Sequence, residues 1–377
     1  MHFLYSGSAY APTGISSYMK SFINHKGISV YTTDSGPPKP AQSKGIPTRK
    51  RIISSIRLAL WKLAERYYFF FCLYRKLIHE RNATTVCRKF FEGLCDESDI
   101  VVINDIWTLL EYQRRGSLGQ AYFVFHCNGD LFNVSTVTFP SCNNKKFKRV
   151  IDNVYEMLEE VRGVIFLTQS ALNIYKMRQQ SNQNCFVINN GFGEKVKVTN
   201  EEISKRFNIF CTGTICRRKR QYLLPKLDLT SLINMESVIL YGGGPEKAQL
   251  VKELTGKKNG LFCFKGEVDR PFEAYKHGDV FVLLSSDEGM PVAAIEALSR
   301  GCIIIMTDVG GARELICNNG LLVSNQTEKQ IVDDVNEFMR LLDSDSERRK
   351  KMANESLDIF NKKFTTQRMV SEYLSLP

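Results

Sequence analysis

The sequence predicts an α/β protein with two domains, each built on a parallel sheet. Short, unbroken apolar runs at residues 100–103, 121–125 and 280–284 are typical of strands that are buried on both faces of such a sheet. A loop and then a helical pattern follow each run, as in α/β units. With 377 residues, the chain is long enough for two such domains with complete cores.

Net charge is the unusual feature of the composition. A hydrophobic content of 43% and a charged content of 24% are ordinary for a globular protein. The net charge of +11 indicates a polyanionic partner, such as an anionic membrane surface, a nucleotide or nucleic acid. The 11 cysteines show no C-x-x-C spacing, so we interpret them as reduced thiols in a cytosolic protein. We recognise no signal peptide and no apolar run of about twenty residues, so we expect no transmembrane helix.

The first domain opens with a predicted strand at residues 2–6 and a glycine-containing loop that leads into a helix. Such a turn can bind an anion through backbone N–H groups. Two later strands end in polar side chains, Asn104 after one and His126 after the other. Ligands of open parallel sheets bind at this carboxyl edge, although a single strand-end histidine is more often structural. Residues 189–191, Asn-Asn-Gly, predict the turn that ends the domain.

A long helical pattern occupies residues 49–81 and is apolar on two sides. The helix either packs on the first domain as an ordinary amphipathic helix or presents a basic, aromatic surface to an anionic membrane. The two apolar sides favour the membrane interpretation, whereas nucleic-acid binding lacks any recognised module. The predicted main stripe is Ile52, Ile56, Leu60, Leu63, Tyr67, Phe70 and Tyr74, and the second patch is Trp61, Tyr68 and Phe71.

The second domain opens with a strand at residues 208–213, and its exit loop carries four consecutive cations at residues 217–220. These cations would repel one another unless an anion lies among them. A later strand leads into the glycine turn at residues 242–244, where only small residues allow a close backbone approach. The next strand exits at Lys265. The pattern therefore predicts an anion site at the strand-end loops of this domain.

The stretch from Ser285 to Leu298 is the most informative part of the chain. It predicts a strand exit, a loop that carries Glu288, and a helix that begins near Pro291 and carries Glu296. The first turn of such a helix offers unpaired N–H groups and a positive dipole end, which suit a phosphate. A carboxylate in the loop can accept hydrogen bonds from sugar hydroxyls, and one further along can accept them from a ribose. One element would thus hold three parts of a nucleotide sugar.

This stretch resembles the signature of retaining glycosyltransferases of the GT-B fold, in particular glycosyltransferase family 4. That family carries two glutamates at this spacing, with Gly and often Pro after the first. Glu288, Gly289, Pro291 and Glu296 match the pattern. The resemblance extends over nearly the whole chain and is strongest over residues 205–316.

The resemblance implies two Rossmann-like domains that face a cleft. Residues 1–192 would form the acceptor domain and residues 193–361 the nucleotide-sugar domain. Residues 362–377 would form a C-terminal helix that crosses back to the first domain. Asp343 and Asp345 lie between two predicted helices rather than after a strand, so we interpret them as a helix cap and not as a metal site.

The resemblance also implies which residues act on the donor. Glu288 would orient sugar hydroxyls, Lys219 would hold the donor diphosphate, and His126 would position the donor sugar, so these three are the predicted catalytic residues. The remaining predicted donor-binding residues are Gly14, Gly213, Thr214, Arg218, Gly243, Lys265, Gly289, Met290, Pro291, Val292 and Glu296.

The chain departs from the family at one phosphate-binding position. The family has an arginine where this chain has Thr214. Arg217, Arg218 or Arg220 would supply the missing charge, and the pattern alone leaves these three open. A charge-assisted hydrogen bond of this kind is worth about 1.5–3 kcal/mol.

The expected reaction moves a hexosyl unit from a nucleotide sugar, with UDP as the expected nucleotide, to a hydroxyl of a lipid-linked glycan or of a lipopolysaccharide or polysaccharide intermediate. Cations replace a metal in this interpretation, so we expect neither a metal ion nor a cofactor. We expect a peripheral protein on the inner face of the cytoplasmic membrane, with no nucleic-acid partner. The alternatives are a nucleotide-sugar 2-epimerase of the same fold and a non-catalytic membrane or nucleic-acid binding protein. Glu288 and Glu296 argue against both, and Lys219 argues against the second.

Overall fold

The computed structural model describes residues 1–377 except 10, 12, 24, 35–47, 94–98, 180–182, 197–202 and 256–259, and only the backbone of 48–55 and 255. The chain divides into two units, Met1–Ile188 and Asn189–Pro377. The division falls in the segment between the two sheets, where the sequence also predicts the domain boundary after residue 192.

Unit 1 contains one parallel sheet. Its described strands are β1 (His2–Leu4), β2 (Ser29–Tyr31), β3 (Val101–Ile103), β4 (Ala121–Phe125), β5 (Gly163–Phe166) and β6 (Cys185–Val187). They lie in the order β2-β1-β3-β4-β5-β6, and β3, β4 and β5 are buried along their whole length. Ile103 pairs with Leu4 on one side and with Phe123 on the other, so these strands end at one edge. The residues that follow β3 and β4 therefore lie beside each other.

Polar caps start most of the helices in unit 1. Asp105 accepts hydrogen bonds from the amides of Trp107 and Thr108, and Thr168 accepts one from Ala171. Each cap satisfies N–H groups that the helix itself leaves unpaired. The described helices are α1 (Gly14–Lys20), α2 (Thr48–Arg66), α3 (Tyr68–Tyr74), α4 (Arg81–Glu92), α5 (Ile106–Gln113), α6 (Leu131–Thr138), α7 (Lys145–Met157) and α8 (Gln169–Arg178).

The predicted helix over residues 49–81 is interrupted. Tyr67 adopts an extended conformation between α2 and α3, and a π-helical turn, Arg75–Glu80, follows. Ala64 and Phe71 are buried in the core, and members of the smaller predicted patch pack with them. Much of the longer stripe faces solvent instead, including Ile56, Leu63 and Tyr67. The side chain of Ile52 lies outside the described residues.

Unit 2 also contains a parallel sheet. Its described strands are β7 (Phe207–Thr212), β8 (Met235–Tyr241), β9 (Phe262–Gly266), β10 (Val280–Leu283), β11 (Ile303–Thr307) and β12 (Gly320–Val323). The order β12-β11-β10-β7-β8-β9 is that of a doubly wound Rossmann sheet. The direction of strand addition reverses between β7 and β10, and such a switch point leaves a crevice for ligands at the carboxyl ends of the strands.

The described helices of unit 2 are α9 (Lys247–Thr255), α10 (Val292–Leu298), α11 (Ala312–Leu315), α12 (Glu328–Ser344), α13 (Ser346–Lys363) and α14 (Thr366–Leu374). Asp345 accepts a hydrogen bond from the amide of Arg348 and caps α13, and Asp343 accepts from the amides of Ile233 and Asn234. The predicted cap is thus confirmed for Asp345, whereas Asp343 caps no described helix and instead binds the loop amides of Ile233 and Asn234. Helix α14 groups with unit 2, and the packing of residues 362–377 on the first domain stays a prediction.

The sequence also predicts reduced cysteines and no transmembrane helix. Every cysteine in the described part of the chain is free, and Cys72 and Cys263 are half-buried. None of the helices in the described ranges combines the length and apolarity needed to cross a bilayer.

Candidate functional site

Two loops of unit 2 meet at the switch point between β7 and β10. The loop after β7 carries Arg218 and Lys219, and the loop after β10 carries Ser286 and Glu288. The backbone N–H of Ser286 donates to the carbonyl oxygen of Arg218 at 2.8 Å, and its hydroxyl donates to the same oxygen at 3.2 Å. These bonds hold the cationic loop directly against the glutamate loop.

The glutamate at this junction is surrounded by cations. Nζ of Lys219 lies 2.5 Å from Oε1 of Glu288, and Nη1 of Arg218 lies 3.3 Å from the same oxygen. Arg218 also donates to the backbone oxygen of Asp287 at 2.5 Å. The sequence requires an anion among its consecutive cations, and in this structure that anion is Glu288.

Glu288 is buried and remains ionised. Burial by itself raises the pKa of its carboxyl group, but the charges of Lys219 and Arg218 outweigh it and lower the pKa below its usual range. One carboxylate faces two cations, so this cluster carries a net positive charge. Such a group can stabilise the negative charge of a diphosphate.

Glycines allow the loops to approach this closely. A Cβ atom on Gly310 would lie 1.9 Å from the carbonyl oxygen of Glu288, and one on Gly242 would lie 2.1 Å from the carbonyl oxygen of Gly213. Both glycines have positive φ angles, 53° and 136°. A larger residue at either position would separate the backbone segments that carry the cluster.

The segment before α10 is fixed by a residue that the sequence indicates only as part of a turn. Asn190 is buried, and its Nδ2 donates to the carbonyl oxygen of Met290 at 3.2 Å. Its Oδ1 is buried without a hydrogen-bond partner among the described residues. Pro291 precedes the first residue of α10, Val292, and no side chain caps this helix. Gly289 accepts a hydrogen bond from the amide of Gly311 at 2.8 Å.

Other predicted donor-binding residues differ in their exposure to solvent. Thr214 has an exposed side chain, although its carbonyl oxygen accepts from Gln221 at 3.0 Å. Lys265 is exposed on β9, and Glu296 is half-buried on α10. A Cβ on Gly243 would lie 2.4 Å from Oε1 of Glu267.

In unit 1, the structure places Gly14 as the first residue of α1 and His126 directly after β4. Nε2 of His126 lies 3.0 Å from Oδ1 of Asn104, and the ring of Tyr18 packs against the imidazole at 4.9 Å between centroids. Burial lowers the pKa of His126 to about 3. The imidazole is therefore neutral near pH 7.

Metal ligands need several donor groups in one place. Outside the ranges that the structure leaves undescribed, no group of three or more His, Cys, Asp or Glu residues is arranged to hold a metal ion.

Sequence comparisons match the second unit to known glycosyltransferases. Residues 206–340 match the model of the family glycosyl transferases group 1. WbnH of Escherichia coli, an O-antigen biosynthesis glycosyltransferase, is 32% identical over 144 residues. That match covers 38% of this chain and 40% of the length of WbnH.

Solved structures extend the similarity to both units. Sucrose-phosphate synthase of Thermosynechococcus elongatus has a TM-score of 0.66 at 16% identity, over 99% of this chain and 96% of that chain. Anabaena HepE, solved in complex with UDP-glucose, has a TM-score of 0.58 at 17% identity, over 78% of this chain and 82% of that one. These similarities and the two Rossmann-like sheets confirm the predicted GT-B fold.

Proposed function

We propose that this chain is a retaining glycosyltransferase that moves a hexosyl unit from a UDP-sugar to a hydroxyl of a lipid-linked glycan or polysaccharide intermediate. The observation that carries the proposal is the cluster of Glu288, Lys219 and Arg218 at the switch point of unit 2. It lies within the residues that match the group 1 glycosyltransferase model. The match to WbnH supports a glycan product, and the complex of HepE with UDP-glucose supports a UDP-sugar donor.

The cluster supplies what the departure of a diphosphate requires. The bond between the anomeric carbon and the phosphate oxygen breaks, and negative charge develops on that oxygen. Lys219 and Arg218 stabilise the developing charge without a metal ion, because fixed cations in a buried site act more strongly than they do in water. Glu288 holds both cations in place and orients sugar hydroxyls.

The acceptor oxygen bonds to the anomeric carbon on the face from which the diphosphate leaves, so the configuration is retained. The acceptor proton passes to the departing phosphate oxygen, which balances the step and requires no protein base. His126 positions the donor sugar, and Glu296 holds the ribose of the nucleotide. At the start of α10, Met290 and Val292 add backbone N–H groups near the phosphates, whereas Pro291 has no N–H and fixes the direction of the chain.

A panel of nucleotide sugars tests the donor site. We expect one UDP-sugar to raise the unfolding temperature and to be hydrolysed slowly, equally with and without EDTA, and we expect Glu288→Gln to lose both effects. Glu236→Gln is the matched control, because Glu236 is an exposed glutamate of the same unit. No response to any nucleotide sugar would reject the proposal, and a product changed at C2 would indicate the epimerase instead. Activity that needs a divalent ion would reject metal independence.

The exposed part of α2, α3 and the turn after them supports a membrane-bound acceptor. Ile56 is 61% exposed and Phe69 is 74% exposed, although large apolar side chains are usually buried. Basic residues alternate with them, as in helices that lie on anionic membranes. We call this set the basic apolar surface; its exposed members are Ile56, Arg57, Leu58, Lys62, Leu63, Arg66, Tyr67, Phe69, Leu73, Lys76 and Leu77.

Vesicle binding tests this surface. The triple variant of Lys62, Arg66 and Lys76 to Gln should bind anionic vesicles about 100-fold more weakly, since each cation contributes about 1 kcal/mol. The matched control changes three exposed lysines of α7, Lys145, Lys146 and Lys148, by the same total charge. If both variants lost vesicle affinity equally, net charge alone would explain the binding, and the basic apolar surface would be rejected as the membrane contact.

A further inference from the structure

The end of β3 holds an amide whose orientation is set by its strand neighbours. Asn104 is buried, and its Nδ2 donates to the carbonyl oxygens of Leu4 at 3.2 Å and of Val102 at 3.1 Å. These oxygens can only accept, so the other atom of the amide is the acceptor Oδ1. Oδ1 lies 3.0 Å from Nε2 of His126. The proton between the two atoms must therefore belong to Nε2.

This assignment determines what the other ring nitrogen can do. A neutral imidazole carries one N–H group, so a proton on Nε2 leaves Nδ1 with a lone pair. The low pKa of His126, caused by burial, keeps the ring neutral near pH 7. Tyr18 packs against the ring at an interplanar angle of 73° and restricts its rotation. His126 thus offers one hydrogen-bond acceptor in a fixed direction.

We infer that Asn104 is a positioning residue that holds His126 in the Nε2–H tautomer, so that Nδ1 accepts a hydrogen bond from a hydroxyl of the donor sugar. The sugar as ligand rests on the proposed function, whereas the tautomer does not. The tautomer also sets the class of ligand. An unprotonated nitrogen binds a hydroxyl, which can donate, and disfavours a phosphate or carboxylate, which can only accept.

The tautomer is measured on the 377-residue chain without ligand. In a ¹⁵N-labelled sample, imidazole correlations separate Nε2–H from Nδ1–H rings, and the signals of His126 are those that disappear from the five histidines in His126→Ala. We expect a proton on Nε2 and none on Nδ1 at pH 7. A proton on Nδ1 overturns the inference, and this result needs no donor and no activity.

A double-mutant cycle tests whether Asn104 acts through His126. We expect Asn104→Leu to reduce donor turnover about tenfold in the native chain and less than about twofold in His126→Ala. Equal losses in both backgrounds would mean that Asn104 only maintains the fold, which overturns the positioning role. If no donor is turned over at all, the proposed function fails. The measured tautomer still decides whether Asn104 holds His126 in the Nε2–H form.

Discussion

The two units carry candidate residues at equivalent edges of their sheets but differ in charge. In unit 2, the buried carboxylate of Glu288 forms an ionic cluster with Lys219 and Arg218. In unit 1, the ends of β3 and β4 hold a neutral pair, Asn104 and His126. The ionic cluster suits a diphosphate, and the neutral pair suits a sugar hydroxyl. One fold, used twice, therefore provides two strand edges of different chemistry.

The difference follows from the counter-charges that each buried group has. Burial disfavours the charged form of any group. For Glu288, two cations within 3.3 Å outweigh burial, and the carboxylate stays charged. For His126, burial is the cause of the shift and drives the ring to its neutral form. Whether a buried edge becomes ionic or neutral thus depends on whether a partner of opposite charge lies beside it.

Lys219→Met should have the largest effect on this comparison, because it removes the cation nearest to Glu288. We expect donor turnover to fall about 100- to 1,000-fold, as when one stabilising donor is removed from an active site. The measurement is kcat with the donor that the nucleotide-sugar panel selects, after thermal unfolding shows that the variant folds. Arg217→Met is the control, since Arg217 is exposed and its loss should cost less than about twofold. Equal losses of turnover in Lys219→Met and Arg217→Met would mean that turnover depends only on the total charge of the loop.

Arg218→Met should have a smaller effect, because Arg218 lies further from Glu288 and its side chain is 32% exposed. We expect about a tenfold loss of donor turnover. Arg220→Met is the matched variant, because Nη1 of Arg220 donates to Asn325 instead. We expect it to lose less than about threefold. A larger loss of turnover for Arg220→Met than for Arg218→Met would contradict this choice. It would indicate that Arg220, and not Arg218, supplies the charge that Thr214 lacks.

Much of the site could be predicted from the sequence because parallel strands bring their carboxyl ends to one edge. The pattern of an apolar run, a loop and a helix places Lys219 and Glu288 at such ends, and the consecutive cations require an anion. No pattern, however, indicates which arginine turns inward. Arg220 has a positive φ of 52° and reaches Asn325, whereas the backbone of Arg218 is bonded to Ser286. These contacts join residues far apart in the chain.

The sequence also does not predict which face of the helical segment over residues 48–80 packs on the core. Both sides are apolar, so periodicity cannot decide which one packs. The extended Tyr67 shifts the phase between α2 and α3, and the core then takes Ala64 and Phe71. Asn104 shows a similar limit. The sequence predicts that Asn104 follows a buried strand. Its hydrogen bond to His126, however, depends on the register of β1, β3 and β4, which the sequence pattern does not give.

The ionic cluster should also give the fold an acid-sensitive component. The pKa of Glu288 is lower in the folded chain than its ordinary value, so its contribution to stability is fully present above that ordinary value and is lost as pH falls through the folded pKa. We expect Glu288→Gln to reduce the drop in unfolding temperature between pH 6 and pH 3.5 by about 2–4 °C. Glu236→Gln should keep the full drop. Identical curves for the native chain and Glu288→Gln would contradict the ionised pair.

The smallest expected effect concerns pH and His126, and it is the absence of a change. With a pKa of about 3, the ring stays neutral from pH 5 to pH 8, so the ratio of donor turnover between the native chain and His126→Ala should be constant across that range. An ordinary histidine, with a pKa of about 6.5, would be about 97% protonated at pH 5. Its Nδ1 would then donate rather than accept, and the ratio would fall roughly 30-fold from pH 8 to pH 5. A fall of that size would show that unit 1 also carries charge at its strand edge, and the contrast between the two units would disappear.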